Sequence, residues 1–261
     1  MELTHQLHAP LKQLRLSGML ETLVAHTRQA VDGTWSYEEF LGRLLEDEVE
    51  RRAQKQLVQR LRRANVQTSK TLEGFDFRFN PGINRQQLLQ LASGDYIRQK
   101  RNVLICGPAG VGKSHLAQAL GHEACRQGYD VVYVNTHTLV QQLNGGRADG
   151  SMERRLASYV RPDVLILDDF GLRALNAQGA EDLYDVISER YERGSIVLTS
   201  NRAPTEWPEL FGNPLLASAG LDRLAHHAEV VVITGRSYRA AGHQALVQTT
   251  EAPADHPDDE A

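Results

Sequence analysis

The sequence predicts an α/β protein in which a parallel β-sheet flanked by helices follows a small, all-helical N-terminal region. Two observations support this. Leucines at helical spacing run from about Leu11 to Asn65, and beyond residue 70 short apolar runs alternate with helical segments. A parallel strand that is covered on both faces appears in the sequence as a continuous run of apolar residues. Five such runs occur: Val103 to Cys106, Val131 to Val134, Val164 to Leu167, Ile196 to Leu198 and Val230 to Ile233.

Length and composition narrow the class of protein. A chain of 261 residues with 41% hydrophobic content can bury a sizeable core. We expect a cytoplasmic protein without a membrane partner, because no apolar run approaches about 18 residues and no export signal stands at the N-terminus. Cys106 and Cys125 lack the CxxC spacing of a zinc or redox site and are expected to be core thiols.

The N-terminal region contains a predicted long helix that starts after Ser36, since Ser36-Tyr37-Glu38-Glu39 has the form of a capping box. Its apolar stripe is expected to pack, and its basic side chains are expected to form a positive face. The stripe is Leu41, Leu45, Val49, Ala53, Leu57 and Leu61, and the basic residues are Arg51, Arg52, Lys55, Arg60, Arg62 and Arg63.

The character of the chain changes near residue 70, where aromatic residues and the turn Asn80-Pro81-Gly82 follow the helical region. We therefore predict a helical N-terminal domain over residues 1–70 and a second, α/β domain over residues 71–248. Residues 249–261 combine Pro, Ala and acidic residues without apolar periodicity, so this tail is expected to be disordered.

The most specific motif is a phosphate-binding loop of the form G-x-x-x-x-G-K-[ST], placed between an apolar strand and a helix. It comprises Gly107, Pro108, Ala109, Gly110, Val111, Gly112, Lys113 and Ser114. Glycines let consecutive backbone N–H groups converge on phosphate oxygens, and the following helix, about Lys113 to Gln127 with Gly128 after its end, directs its positive pole at them. Lys113 adds a full charge, and Ser114 can coordinate Mg²⁺. The alternative is a glycine-rich turn that binds nothing.

Two acids and an amide follow later strands. Asp168 and Asp169 end the run from Val164, and Asn201 closely follows the run from Ile196. Carboxylates at the carboxyl end of a strand face the ligand crevice of a parallel sheet. We expect Asp168 to help hold Mg²⁺, Asp169 to act as general base on the attacking water, and Asn201 to orient that water or contact the terminal phosphate. Ordinary turn residues are the alternative for all three.

From about Phe75 to Arg239 the chain resembles the AAA+ ATPases of the helicase-loader and IstB group, the ATPase helper proteins of transposons. The segments GPAGVGKSHLAQALGHEACRQG, VLILDDFG, IVLTSNRAPTEW and LLASAGLDRLAHHAEVVVITGRSYR are similar to IstB-like proteins in particular. The resemblance implies a five-stranded parallel sheet, in which the strand before Asn201 lies between the phosphate-loop strand and the Asp168 strand. It also implies ATP as the nucleotide and Mg²⁺ as the cofactor.

The resemblance also implies roles for single residues. Asn201 corresponds to the sensor-1 residue, and Arg223 to the arginine finger that a neighbouring subunit contributes. For Arg223 the alternative is an ion pair with Asp222 or Glu229. The chain after Ile233 is expected to be too short for a full helical lid. Of the two candidates for the sensor-2 role, Arg236 and Arg239, Arg239 is favoured, and His115 completes the predicted nucleotide contacts. The second acid is Asp169, where many AAA+ enzymes have glutamate, so turnover is expected to be slow.

Clustered basic residues suggest sequence-tolerant binding to duplex DNA, since no base-reading motif accompanies them. The net charge of −4 argues only against a uniformly basic surface. A solvated helix face is the alternative, but the similar ATPases use the insert around residues 147–155 to face nucleic acid. The predicted DNA contacts are Arg51, Arg52, Lys55, Arg62, Arg63, Arg147, Arg154 and Arg155.

Three functions are compatible with these motifs. The first is an ATPase that oligomerises on target DNA and recruits or stimulates a transposase through its helical N-terminal domain. The second is a loader that delivers a replicative helicase. The third is a small-molecule kinase with the same phosphate loop, for which Asn201 and Arg223 would have no role. The pair of acids favours a hydrolytic water over the kinase.

Overall fold

The computed structural model describes residues 2–238 and residue 240. Arg239 and the tail 249–261 therefore lie outside the described residues. The helices are α1 (Glu2–Gln13), α2 (Ser17–Gly33), α3 (Tyr37–Ala64), α4 (Arg85–Ala92), α5 (Asp95–Arg98), α6 (Lys113–Arg126), α7 (Thr136–Asp149), α8 (Met152–Val160), α9 (Ala177–Arg190) and α10 (Pro214–Ala225), with a 3-10 helix at Pro204–Leu210. The strands are β1 (Val103–Cys106), β2 (Val131–Asn135), β3 (Val164–Phe170), β4 (Ser195–Ser200) and β5 (Glu229–Val232).

The described residues divide into two compact units, with the division between Arg60 and Leu61. The division therefore falls within α3, whereas the sequence analysis places the joint near residue 70. Within the described residues, none of the helices is both long enough and apolar enough to cross a membrane.

The N-terminal unit consists of α1, α2 and most of α3 around a small apolar core of Met19, Leu23 and Leu44. As predicted, α3 begins at Tyr37, and the Ser36 hydroxyl accepts a hydrogen bond from the backbone N–H of Glu39. The first residues of the helix are thereby capped.

The predicted apolar stripe of α3 is wrong for its first four residues, of which Ala53 is the last to be exposed. Leu41, Leu45 and Val49 are 51%, 48% and 67% exposed, while Leu44 and Glu48 are buried. The reason is geometric: residues four apart advance by about 40° around a helix with 3.6 residues per turn, so a stripe of constant four-residue steps winds around the helix. The packed face follows a different row of side chains.

Glu48 is a buried carboxylate that caps α2 from another helix. Its Oε2 accepts hydrogen bonds from the backbone N–H groups of Gly18 at 2.6 Å and Met19 at 3.4 Å, and its Oε1 accepts one from Arg52 Nε at 2.6 Å. Burial alone would raise the pKa of Glu48, but the hydrogen bonds from Arg52, Gly18 and Met19 outweigh burial and lower it. The charged carboxylate therefore helps to hold α2 against α3.

The second unit is built on a five-stranded parallel sheet of order β2-β3-β4-β1-β5. This confirms the predicted fold, including the position of β4 between β1 and β3. Strands β1 and β4 are buried along their whole length because helices cover both faces, whereas Val230 and Val232 of the edge strand β5 are exposed. Cys106 and Cys125 are buried thiols, as predicted.

All five strands run in one direction, so the sheet has a carboxyl edge, where the strands end, and an amino edge, where they begin. The loops that follow β1, β3 and β4 meet at the carboxyl edge. The residues that precede these strands meet at the amino edge. These two edges position the functional side chains.

We expect Glu48→Ala to lower the free energy of unfolding by about 2 kcal/mol, because it removes a charge-assisted cap from two buried N–H groups. Denaturant titration of the full chain measures the effect. Since the fold lowers the pKa of Glu48, its contribution is present at neutral pH and is lost as the pH falls through that lowered value.

The exposed Glu50 on the same helix is the matched control. Glu50→Ala should leave the unfolding midpoint within a few tenths of a kcal/mol. Equal losses for the two variants would show that Glu48 does not act as a cap.

Candidate nucleotide-binding site

The loop from Gly107 to Gly112 joins β1 to α6 at the carboxyl edge and requires its glycines. Gly107, Gly110 and Gly112 have positive φ angles of 157°, 81° and 102°. A Cβ at Gly107 would lie 2.2 Å from the carbonyl oxygen of Ile233, and one at Gly112 would lie 2.7 Å from the Phe75 ring. Side chains at these positions would therefore strain the backbone and collide with their neighbours.

Helix α6 presents its N-terminus to this loop. Gly112 occupies the cap position, and no side chain of the described residues caps the helix there. The first backbone N–H groups are thus arranged to face an anion. The helix ends at Arg126, and Gly128 follows with a φ of 97°, which confirms the predicted extent and C-terminal glycine.

Lys113 and its two successors lie on the first turn of α6. Lys113 is 6% exposed, and its Nζ donates a hydrogen bond of 2.7 Å to the carbonyl oxygen of Pro108 within the loop. Ser114 is half-buried beside it. His115 Nε2 lies 3.0 Å from the carbonyl oxygen of Thr71, and burial lowers the pKa of His115. The structure therefore brings the three predicted residues to one end of the loop.

Two segments outside the phosphate-loop motif cover the loop from two sides. Asn80 Nδ2 donates to the carbonyl oxygen of Val111 at 3.3 Å, and the backbone N–H of Tyr238 donates to the carbonyl oxygen of Gly110 at 2.9 Å. Phe75 packs edge-on against His115, with ring centroids 5.1 Å apart. Phe75 thus lies beside the phosphate loop. The sequence analysis expects the aromatic residues to lie at the linker or on the adenine side.

The two acids project from a β-bulge in β3. Consecutive residues of a regular strand point to opposite faces, but the register of β3 against β4 shifts between Leu167 and Phe170, and Asp169 has a positive φ of 56°. A bulge re-aims one side chain relative to its neighbour. Asp168 and Asp169 can thereby serve the same crevice.

Hydrogen bonds hold both acids in place. Tyr133 Oη donates to Asp168 Oδ2, and Thr199 Oγ1 donates to Asp168 Oδ1, each at 2.5 Å. Asn135 Nδ2 donates to Asp169 Oδ2 at 3.0 Å. Burial, together with the bond to Asp168, raises the pKa of Tyr133, so its hydroxyl remains a donor at neutral pH. Neighbouring strands on both sides therefore position the pair.

Sequence reasoning missed Tyr133, Asn135 and Thr199. Asn135 had a usable signal, because it follows an apolar strand in the same way as Asn201 does. Tyr133 and Thr199 lie inside their strands, where only the observed strand order identifies their partners. Asn201 itself is exposed directly after β4, between the ends of β1 and β3.

Arg223 lies at the opposite end of the sheet. Its Nη1 donates to the carbonyl oxygen of Ala219 at 2.9 Å, and its guanidinium carbon lies 5.5 Å from the centre of the Tyr184 ring. A cavity of about 380 Å³ joins it to Asn102 and His226 at the amino edge. Among the described residues Arg223 has no ion-pair partner, and Glu229 pairs with Arg101 at 3.3 Å instead.

The predicted DNA contacts fall into two groups. Four form ion pairs within the protein: Arg51 with Glu21, Arg52 with Glu48, Arg147 with the buried Asp182, and Arg155 with Asp149. The other four are exposed, and the described residues provide them with no ion-pair partner: Lys55, Arg62, Arg63 and Arg154. Releasing Arg147 would leave the carboxylate of Asp182 buried and unpaired, which is strongly unfavourable.

This site and the strand order define a class of protein. The phosphate loop follows β1, the two acids end β3, and β4 lies between these two strands. The chain is therefore an ATP-binding P-loop protein with the AAA+ fold. More particularly, the chain belongs to the family of IstB-like ATP binding proteins, whose model matches residues 9–245.

Relatives from insertion sequences support the family assignment. A protein of Mycobacterium tuberculosis described as an ATP-binding protein in an insertion sequence is 44% identical over 230 residues, covering 88% of this chain and 92% of that one. The ATP-binding protein of insertion sequence IS21 from Pseudomonas aeruginosa is 37% identical over 235 residues, covering 90% and 89%.

Solved structures support the fold alone. AMPPCP-bound DnaA from Aquifex aeolicus superposes with a TM-score of 0.54 at 20% identity, covering 73% of this chain. The match spans only 58% of the DnaA chain. DnaI superposes with a TM-score of 0.55 at 21% identity, covering 63% of this chain and 90% of that one.

We expect Gly112→Ala to weaken the binding of a non-hydrolysable ATP analogue at least about tenfold, because the new Cβ meets the Phe75 ring in a backbone conformation that alanine disfavours. Equilibrium titration with a fluorescent analogue measures this affinity.

Gly150→Ala is the matched control. Gly150 also has a positive φ, of 72°, but beyond its chain neighbours the described residues place no atom within 4 Å of its hypothetical Cβ. It follows α7, outside the loop. The control should bind the analogue as the unchanged protein does. If both variants bound the analogue with equal affinity, this loop would not be part of the nucleotide-binding site.

Proposed function

We propose that this chain is a Mg²⁺-dependent ATPase that assembles on duplex DNA and recruits or stimulates a transposase. One observation carries the proposal: the glycine loop, the fixed pair Asp168 and Asp169, and the strand leading to Asn201 all meet at one edge of the sheet. That edge combines anion-binding N–H groups with carboxylates, which is the combination that phosphate transfer to water requires.

The first part of the proposal is the binding of ATP. The loop N–H groups, the N-terminus of α6 and Lys113 bind the phosphates. The hydroxyl of Ser114 and the carboxylate of Asp168 are hard oxygen donors and fit Mg²⁺. When bound, Mg²⁺ neutralises charge on the phosphate oxygens.

The second part is the activation of water by Asp169. Its carboxylate lies next to Asp168 on the bulge and is held by Asn135, so it can accept a proton from a water near the terminal phosphate. Asn201 provides an amide on the adjacent strand to orient that water. The fixed acid pair favours hydrolysis over transfer to a small acceptor, which argues against the kinase.

The third part is assembly. The phosphate loop follows the carboxyl end of β1, whereas Arg223 shares its cavity with Asn102, which precedes β1. The four residues of β1 alone separate these positions by about 13 Å. Arg223 therefore cannot contact the nucleotide of its own subunit and is suited to the nucleotide of a neighbour. Such a composite site couples hydrolysis to oligomerisation.

The partner proposal rests on the relatives and on the N-terminal unit. The relatives described above are named as insertion-sequence proteins, which favours a transposase over a replicative helicase as the partner. The N-terminal unit exposes Leu41, Leu45 and Val49 along one side of α3. Exposed apolar side chains that lie together commonly mark a surface for another protein.

DNA contacts are assigned mainly to the exposed residues Lys55, Arg62, Arg63 and Arg154. Arg51, Arg52, Arg147 and Arg155 keep their ion pairs and contribute to the positive field rather than to direct contacts. Binding of this kind depends on salt and tolerates many sequences.

Mixing two variants tests the composite site. Arg223→Ala removes the proposed finger and Asp169→Asn the proposed base, so each alone should hydrolyse ATP at least about 100-fold more slowly. On random 1:1 mixing, about one interface in four joins an intact Asp169 to an intact Arg223 of the next subunit, so about a quarter of the activity should return. Steady-state phosphate release on duplex DNA measures it.

A chain that carries both substitutions is the control. Mixed with Arg223→Ala it supplies no intact finger and should restore nothing. If the mixture of the two single variants is no faster than their average, Arg223 does not act across an interface.

Arg154→Ala should weaken binding to duplex DNA by a similar factor for unrelated sequences, and it should reduce the slope of log affinity against log salt by about one. Fluorescence anisotropy at several salt concentrations provides both values. Arg193→Ala, which removes an equal charge from a residue paired with Glu189, is the control and should leave the slope unchanged. If the slope were unchanged for Arg154→Ala, Arg154 would not contact DNA.

A further inference from the structure

Asn102 connects four elements at the amino edge of the sheet. Its Nδ2 donates to the carbonyl oxygen of Leu224 at 2.9 Å, and its Oδ1 accepts from the backbone N–H of Ile196 at 2.9 Å. Its own carbonyl oxygen accepts from the backbone N–H of Glu229 at 2.8 Å. Asn102 is only 8% exposed, and it immediately precedes β1. One residue thus joins the end of α10 to the beginnings of β1, β4 and β5.

The bond to Leu224 fixes the part of α10 that carries Arg223. Leu224 is fully buried and is the residue next to Arg223. A carbonyl in the last turn of a helix has no partner within the helix, so Asn102 supplies the donor that this turn lacks. The last turn of α10 is thereby attached to the beginnings of β1 and of the central strand β4.

Tyr184 of α9 supports the guanidinium itself. The Arg223 guanidinium carbon lies 5.5 Å from the centre of the Tyr184 ring, within the range of a cation–π contact. The ring packs closely on α10, because a Cβ added to Gly220 would lie 3.5 Å from Tyr184 Cδ2. With the bond from Arg223 Nη1 to Ala219, both the backbone and the side chain of Arg223 are held before any partner arrives.

We propose that Asn102 and Tyr184 are positioning residues, which hold Arg223 ready to contact the terminal phosphate of ATP bound by a neighbouring subunit. This inference rests on the proposed function. Asn102 also begins the strand whose other end leads into the phosphate loop, so β1 rigidly links the loop of one site to the finger of the next. Such preorganisation matters because a displacement of about 1 Å in a reacting group can reduce a rate about 100-fold.

The first test is Asn102→Ala in the full chain. Turnover of the homogeneous assembly should fall about 10- to 100-fold while the KM for ATP stays within about twofold, because the loop of each subunit is intact. A 1:1 mixture with Asp169→Asn should regain activity, since the Asp169→Asn subunit supplies a correctly held Arg223 to the intact base of its neighbour.

Asn84→Ala is the matched control for the loss of an asparagine. The Asn84 side chain caps α4 by accepting a hydrogen bond from the backbone N–H of Gln87 at 3.0 Å, and it touches neither Arg223 nor the loop. This variant should show a comparable loss of stability with turnover close to that of the unchanged protein.

A second pair of variants keeps the proposal testable if Asn102→Ala does not fold. Tyr184→Phe retains the aromatic face and should keep turnover within about twofold, whereas Tyr184→Leu removes it and should reduce turnover about tenfold. Mixing Tyr184→Leu with Asp169→Asn should restore activity, and equal turnover for the two Tyr184 variants would overturn the role of the ring.

The mixtures distinguish failure of this inference from failure of the proposed function. If Arg223→Ala is rescued by Asp169→Asn but Asn102→Ala is not, Asn102 acts within its own subunit and the positioning role is overturned, while the composite site stands. Full turnover by Asn102→Ala would overturn the role as well. If Asp169→Asn rescues none of these variants, the composite site itself is wrong.

Discussion

The position of β4 between β1 and β3 is the constraint on which the nucleotide site depends. In a parallel sheet every strand ends at the same edge, so this order places the phosphate loop after β1 within reach of the acids at the end of β3, with Asn201 between them. The strand order also creates the contacts that fix the acids, because Thr199 of β4 and Tyr133 of β2 approach Asp168 from either side. A different order would leave the same residues far apart.

The opposite edge of the sheet carries Arg223, the proposed complementary half of a site shared between subunits. Asn102 attaches the end of α10 to the beginnings of three strands and so presents Arg223 away from its own loop. The nucleotide site lies at one edge of the sheet and the fixed guanidinium of Arg223 at the other. In the proposed assembly, each subunit would therefore complete the site of the next.

The fold could be predicted from the sequence because its signals are local. The apolar runs predict the five strands, and the glycines of the loop predict a turn whose backbone conformation favours glycine. The packing face of α3 could not be predicted, since spacing alone does not show that a charged residue, Glu48, is buried to cap α2. Tyr133 and Thr199 were missed because their partners lie in other strands. The ion pair between Arg147 and the buried Asp182 could not be predicted either, because the two residues are 35 positions apart in the sequence.

The most direct test of this account is sedimentation velocity of the purified chain with Mg²⁺, with and without a non-hydrolysable ATP analogue and duplex DNA. The account predicts that the analogue and DNA together produce large assemblies, because the nucleotide completes each interface and the exposed basic residues provide the contacts to DNA. A protein that binds the analogue but remains a monomer on DNA would contradict the composite site.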